Sequence, residues 1–112
     1  KLEYQVNQLN LSTIEELELS IKFNYNVCRY LWLQKNIEEA ITKITDTIKQ
    51  CKAYRTNYLL ADLYLLMGNV SENFSSKSSV KEYFETAYFL YKLEGNMSMT
   101  LKVEHYIADI SE

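Results

Sequence analysis

The sequence predicts an all-α domain, built from antiparallel helical hairpins that stack as a tetratricopeptide-like α-solenoid fragment with a C-terminal capping helix. The 112 residues contain no proline and only two glycines, which is too few turn formers for an all-β domain of this length. Apolar residues recur in steps of three and four along most of the chain, which is the helical period. A pattern of small residues also repeats at close to the roughly 34-residue period of tetratricopeptide hairpins.

The composition narrows the classes of function. The formal net charge is −3 with both signs mixed along the chain, so no basic nucleic-acid surface is expected. No apolar run approaches the roughly 20 residues of a membrane-spanning helix. The two cysteines lack disulfide or metal spacing, and the single histidine, His105, excludes a histidine-pair metal site. We therefore expect a cytoplasmic protein with reduced cysteines, no membrane contact, and no cofactor or metal.

The first predicted elements are two helical segments near the start of the chain. Lys1–Leu9 is interpreted as the end of an earlier helix, with its apolar residues on one face. Ser12 and Glu15 form a capping box, in which each side chain satisfies a free backbone N–H of the first turn. From this cap a long helix is predicted to run to about Leu33.

The stretch Tyr25–Ile48 is the helical hairpin around which the rest of the chain is organised. A short turn at Gln34–Asn36 separates two runs of apolar residues with helical spacing. Asn36 is predicted to cap the second helix through its side-chain oxygen, and Glu39 to return a bond to the cap N–H. This second helix is predicted to end near Cys51–Ala53.

The third predicted helix is Tyr54–Met67. Its part Tyr58–Met67 is apolar nearly all round except at Asp62, and such a helix has neighbours on more than one side. Gly68 is predicted to stop the helix, because glycine adopts the left-handed conformation common at helix ends. The polar, serine-rich stretch Asn69–Ser79 is predicted to be an exposed loop.

Two more helices complete the predicted array. A capping box of Ser79 with Glu82 is predicted to start the fourth helix, and Gly95 to end it. Asn96 is a candidate cap for the last helix, which runs to about Ile110 and is predicted to close the array.

An internal repeat relates the two hairpins. In their first helices, residues 33 positions apart correspond: Tyr25, Cys28 and Leu31 with Tyr58, Ala61 and Tyr64. In their second helices the correspondence is Ala40, Ile44 and Thr47 with Val80, Phe84 and Ala87. These second-helix positions are 40 residues apart rather than 33. The serine-rich loop explains the seven extra residues, since insertions in helical arrays fall in loops. The hallmark Trp-x-x-Leu-Gly is absent, so the repeats are divergent, and an unrelated helical bundle is the alternative.

Three stretches carry a resemblance to a known family: Lys22–Leu33 followed by IEEA, then Cys51–Gly68, then YFETAYFLYKLEGN. They resemble the C-terminal regulatory half of the PlcR-like quorum regulators of Gram-positive bacteria, which include the Rgg, PrgX and NprR types. The resemblance implies a cytoplasmic transcription factor with an N-terminal helix-turn-helix domain and a C-terminal tetratricopeptide array that binds a short imported peptide. No helix-turn-helix is visible in residues 1–112, so we expect one tetratricopeptide-like domain of a larger regulator, with DNA contacted through the other domain.

Candidate peptide-binding residues lie on the predicted concave face, which the first helix of each pair lines. Asparagine amides pair with peptide N–H and C=O groups, basic residues hold carboxylates, and aromatic rings supply apolar contact. Asn26 is the leading candidate, since it matches the Tyr-Asn position in the resemblance and shares a helix face with Lys22 and Arg29. The predicted set is Lys22, Tyr25, Asn26, Arg29, Trp32, Arg55, Tyr58 and Asp62.

Plainer interpretations compete with these roles. Asn26 and the basic residues also fit a solvated surface, and the aromatic residues also fit a core. Asp62 is costly to bury alone, so we expect it to face a groove, solvent or a basic partner such as Arg55 or Arg29. Cys28 is interpreted as a structural small residue. Cys51, near a helix end, is a candidate for exposure but has no evident acid–base partner.

Three functions remain open at this stage. The first is the peptide-sensing domain of a PlcR-like regulator, in which a bound signalling peptide controls how two copies pair as a homodimer. The second is a tetratricopeptide-type adaptor or scaffold that holds an extended segment of another protein. The third is a structural, oligomerising helical domain. No phosphate loop, nucleophile–histidine pair or metal-ligand group is present, so we do not expect an enzyme.

Overall fold

The computed structural model describes residues 11–111, with side chains from Thr13 onward. These residues form α1 Leu11–Leu33, α2 Ile37–Ala53, α3 Leu60–Ser71, α4 Lys77–Glu94 and α5 Met97–Ser111. No strand occurs between residues 11 and 111. Each helix packs chiefly on the next one along the chain, and α1 also touches α3. The predicted all-α solenoid of stacked hairpins is thereby confirmed.

The first hairpin has the predicted turn but not the predicted caps. Lys35 in the turn has a φ of 62°, in the left-handed region. Asn36 occupies the N-cap position of α2, yet its side chain caps no backbone N–H. Its amide instead donates to a carboxylate oxygen of Glu39, so the two side chains bond each other. Ser12 lies inside α1 and does not start it, and the predicted segment Lys1–Leu9 lies outside the described residues.

The predicted limits of the third helix are wrong at both ends. A turn precedes α3, and in it Arg55 and Leu59 have φ values of 55° and 56°. The helix then begins at Leu60 and continues through Gly68 to Ser71. Gly68 is buried and faces the ring of Phe84, where any side chain would collide. This glycine is therefore explained by close helix packing and not by a helix end.

The start of α4 also differs from the prediction, whereas its end agrees. Ser76 is the N-cap, and its Oγ accepts the backbone N–H of Ser79 at 3.1 Å. The loop is accordingly shorter than predicted. Gly95 ends α4 with a φ of 74°. Asn96 then caps α5, because its Oδ1 accepts the N–H of Met99 at 3.2 Å.

Small and apolar residues at the repeat positions form the core between the helices. Eight of the twelve aligned positions are buried: Cys28, Ala40, Ile44, Thr47, Ala61, Val80, Phe84 and Ala87. The other four, Tyr25, Leu31, Tyr58 and Tyr64, are partly buried against the core. The core consists of two clusters, one that includes Ile44 and Leu63 and one that includes Phe84 and Tyr91. Tyr64 and Leu90 pack against both clusters and join them. Cys51 is fully buried rather than exposed, with its Sγ 3.6 Å from the carbonyl of Tyr58.

Candidate functional site

A groove of about 320 Å³ lies between α1, α3 and α5. Its lining comes from these three alternate helices: Tyr25, Arg29, Trp32, Asp62, Leu65, Leu66, Asn69, Met99, Lys102 and Tyr106. Alternate helices of a stacked hairpin array share one face, and that face is the concave one. The volume lies at the lower end of the range of about 300–1,000 Å³ that is typical of small-molecule sites.

Aromatic and aliphatic side chains form the walls of the groove. Tyr25, Trp32 and Tyr106 are half-buried, so each ring is supported by the core and still presents a face to the groove. Leu65 and Met99 add aliphatic surface between the rings. Rings of this kind give large contact area at low cost in side-chain entropy.

Asp62 is a half-buried carboxylate in the groove, and a residue from α4 holds it. The hydroxyl of Tyr91, whose side chain is only 1% exposed, donates to Oδ1 of Asp62. Asp62 therefore faces the groove, as predicted, but its hydrogen-bond partner is a tyrosine rather than an arginine. Burial raises the pKa of Tyr91 above its ordinary value, and the bond to Asp62 and its charge raise that pKa further.

The charge of Asp62 is felt by its neighbours. The pKa of Tyr25 is raised, first by burial and then by Asp62, while Arg29 acts in the opposite direction. The pKa of Glu94 is raised by burial and by Asp62. These shifts indicate a negative potential around Asp62, which disfavours any further negative charge.

The two cations of the groove lie at its rim. Arg29 on α1 and Lys102 on α5 are both exposed. Within residues 13–111 neither has an ion-pair partner. The groove therefore combines the half-buried carboxylate of Asp62 with two cations at its rim. This arrangement suits a ligand that carries both kinds of charge.

The groove brings together four of the eight predicted site residues: Tyr25, Arg29, Trp32 and Asp62. Lys22 and Tyr58 line a separate shallow cavity of about 310 Å³ beside Glu18. Asn26 and Arg55 are exposed and line neither of these two cavities. The leading candidate of the sequence analysis thus lies beside the groove, on the same helix.

Sequence reasoning missed Asn69, near the end of α3, and the groove residues that come from α5. The predicted loop begins at Asn69, and the predicted last helix only closes the array, so neither prediction includes Asn69, Met99, Lys102 or Tyr106 in the site. A spacing of three and four residues was available as a signal. One step of three and one of four make seven residues, which is the separation of Asp62 from Asn69 on α3, of Met99 from Tyr106 on α5, and of Tyr25 from Trp32 on α1.

Two features are absent from the part of the chain that the structure describes. In that part, no group of three or more histidine, cysteine, aspartate or glutamate side chains has the arrangement of a metal site. None of its helices combines the length and hydropathy needed to cross a bilayer.

Comparison with protein-family models identifies a family. The family model described as the RNPP family C-terminal domain matches residues 2–106, which is nearly the whole chain. Neither the curated proteins nor the solved structures give a match.

Proposed function

Because this chain belongs to the RNPP family, matching its C-terminal domain over residues 2–106, we propose that it is the regulatory domain of a cytoplasmic quorum-sensing transcription factor. It binds a short signalling peptide in the groove between α1, α3 and α5. DNA binding belongs to a separate helix-turn-helix domain of the regulator. The observation that carries the proposal is the groove, in which side chains from three helices converge on one trough.

The lining supplies what an extended peptide needs. The Asn69 amide can donate to a peptide carbonyl and accept from a peptide N–H. Arg29 and Lys102 can hold a carboxylate by charge-assisted hydrogen bonds. Trp32 and Tyr106 provide apolar contact for side chains along the peptide. The backbone N–H and C=O groups of a peptide bound here can therefore keep hydrogen-bond partners.

Regulation follows if the bound peptide favours one arrangement of two paired copies over another. The peptide shifts that equilibrium only by the difference in its affinity for the two arrangements. The described part of α1 offers a surface for pairing: Leu19, Phe23, Tyr30 and Leu33 are each at least 60% exposed. Their spacing of four, seven and three residues places them along one face of the helix.

A tryptophan titration tests the proposal. Trp32 is the only tryptophan of the chain and lines the groove, so its fluorescence should change when a peptide binds there. Pools of synthetic heptapeptides are added to the full chain, and calorimetry confirms any fluorescence change. Saturable binding by at least one pool is expected. No change in fluorescence and no heat from any pool would refute peptide binding.

One observation favours an adaptor that holds a longer protein segment as the second candidate. Trp32 also lines an apolar crevice of about 530 Å³, together with Leu33, Ile37 and Phe74. A segment lying in the groove can therefore continue over Trp32 into this crevice. Peptides of fifteen residues would then bind much more tightly than those of seven, whereas a short-peptide sensor would show no such gain.

A further inference from the structure

The hydrogen bond between Tyr91 and Asp62 fixes a groove residue from a helix that does not line the groove. Asp62 lines the groove from α3, while Tyr91 is on α4 and is not among the groove-lining residues. Tyr91 is fixed in the core formed by α4 and its neighbours, together with Val80, Phe84 and Val103. Its hydroxyl therefore holds Oδ1 of Asp62 in one place, so the carboxylate cannot rotate freely.

The second oxygen of Asp62 is left for a ligand. Oδ2 has no hydrogen-bond partner within residues 13–111. In the same part of the chain, no buried side-chain oxygen or nitrogen of a non-exposed residue lacks a partner. Oδ2 is therefore open to solvent, and because Asp62 lines the groove, it can accept a bond from a molecule bound there.

We propose that Asp62 is a subsite for a positively charged group of the bound peptide, either a lysine or arginine side chain or the N-terminal ammonium, and that Tyr91 is its positioning residue. The inference rests on the proposed peptide binding. It adds the charge that the peptide carries and the place in the groove where that charge lies.

A cation fits this position better than a neutral donor. Burial raises the pKa values of Tyr25 and Glu94, and Asp62 raises both further, which indicates a negative potential on the sides of the carboxylate that these two groups face. Tyr25 and Trp32 also line the groove there, and the faces of such rings attract ammonium and guanidinium groups.

Arg29 competes with this attraction but does not cancel it. It is exposed at the rim, where water and salt screen its charge. In its effect on the pKa of Tyr25, Asp62 outranks Arg29. Asp62 is half-buried, so its field extends through protein rather than through water.

The test uses pools of heptapeptides randomised over alanine, serine, leucine, phenylalanine and glycine. In one series lysine occupies each position in turn, and in the matched series norleucine replaces it. Each series is made with a free and with an acetylated N-terminus. Binding to the full chain is followed by the fluorescence of Trp32. The lysine arm and the acetylation arm distinguish a side-chain cation from the terminal ammonium.

We expect one arm to show a preference of about tenfold for the charged form, in keeping with a charge-assisted hydrogen bond. Asp62→Asn should abolish that preference, because a neutral amide no longer attracts a cation, although its oxygen can still accept the hydrogen bond from Tyr91. Tyr91→Phe should reduce the preference several-fold. Asp46→Asn, at an exposed aspartate on α2, is the matched control and should change nothing.

The outcomes separate this inference from the proposed function. Binding of the pools without preference for a cation in either arm overturns the subsite and leaves peptide binding standing. A cation preference that survives Asp62→Asn overturns it as well. Absence of binding by every pool removes the proposed function and the subsite with it. Should Tyr91→Phe fail to fold, Asp62→Asn alone decides the matter.

Discussion

The ring of Phe84 fills the space that a side chain at residue 68 would occupy: a Cβ built on Gly68 would lie 2.6 Å from Cδ1 of Phe84. Both residues are buried, Phe84 with 1% of its surface exposed. The contact lets the backbone of α3 approach α4 at the level of the repeat position. The groove depends on it indirectly, since Asp62 on α3 meets Tyr91 on α4 two turns away.

Gly68→Ala should destabilise the domain by about 1–3 kcal/mol, the usual range for overpacking a core. The better helix propensity of alanine, worth up to about 1 kcal/mol, offsets part of this cost. Urea unfolding followed by circular dichroism measures the net change. Combining the substitution with Phe84→Leu, which makes room, should lower the penalty of the alanine. If Gly68→Ala alone proved more stable than the parent, the ring of Phe84 would have to move aside freely.

Local sequence rules failed where tertiary packing decided the outcome. Gly68 and Gly95 look equally suited to end a helix, but only Gly95 has the left-handed φ that such an end requires. Gly68 is explained by Phe84, a residue far along the chain, and no local pattern reports that contact. Ser76 and Ser79 present the same difficulty, since both precede apolar helical spacing and only one is the cap.

The candidate site was predictable to the extent that its helices were. The register of α1 followed from apolar spacing, and Tyr25, Arg29 and Trp32 lie together in the groove. Asn26 follows Tyr25 by about 100° around the helix, so the broad predicted face included a residue that lies outside the trough. Asn69 and Lys102 required knowledge of where α3 ends and of what α5 faces, and both depend on packing.

Tyr91→Phe should lower the free energy of unfolding by about 1–2 kcal/mol, because it removes a hydrogen bond to a carboxylate from the core side. Solvent can partly replace that bond, since Asp62 is only half-buried. Thermal and urea unfolding give the measurement. Tyr30→Phe is the control, because Tyr30 is 60% exposed, and it should be neutral. Equal effects of the two substitutions would contradict a structural role for the Tyr91 hydroxyl.

Stability should fall as the solution becomes alkaline. Burial raises the pKa values of the Cys28 and Cys51 thiols and of the Tyr25 and Tyr91 phenols. Above the ordinary values of 9.0 for cysteine and 10.0 for tyrosine, the unfolded chain loses these protons first. The folded state then binds more protons, so the free energy of unfolding decreases with rising pH.

The slope should reach up to about 1.4 kcal/mol per pH unit for each group that is fully linked. Melting temperatures measured between pH 8 and pH 11 with a reductant present test this prediction. Tyr91→Phe should flatten the profile above pH 10, since it removes one titrating group. A melting temperature that stays constant over the whole range would rule out the raised pKa values.

Phe23→Ser should weaken self-association without loss of stability. Phe23 is 67% exposed, so its replacement disturbs no core contact of the described residues. Sedimentation velocity over a range of concentrations measures the association. Phe89→Ser is a matched control on α4, with 60% exposure and away from α1. If Phe89→Ser weakens pairing and Phe23→Ser does not, the pairing surface lies elsewhere.

Arg29 and Lys102 should act together on a carboxylate of the bound peptide. They reach the groove from α1 and α5 respectively. Arg29→Ala and Lys102→Ala should each weaken the heptapeptide pools by about fivefold to tenfold, which is the scale of a partly exposed charge-assisted bond. Lys49→Ala, at an exposed lysine on α2 outside the groove, should have no effect.

Amidation of the peptide C-terminus distinguishes the role of the two cations from that of Asp62. If they hold the terminal carboxylate, amidated pools bind the parent weakly and no longer respond to either alanine substitution. If amidated pools that also contain aspartate and glutamate still respond, the cations hold an acidic side chain instead. Should neither substitution weaken the pools, the two rim cations have no part in binding.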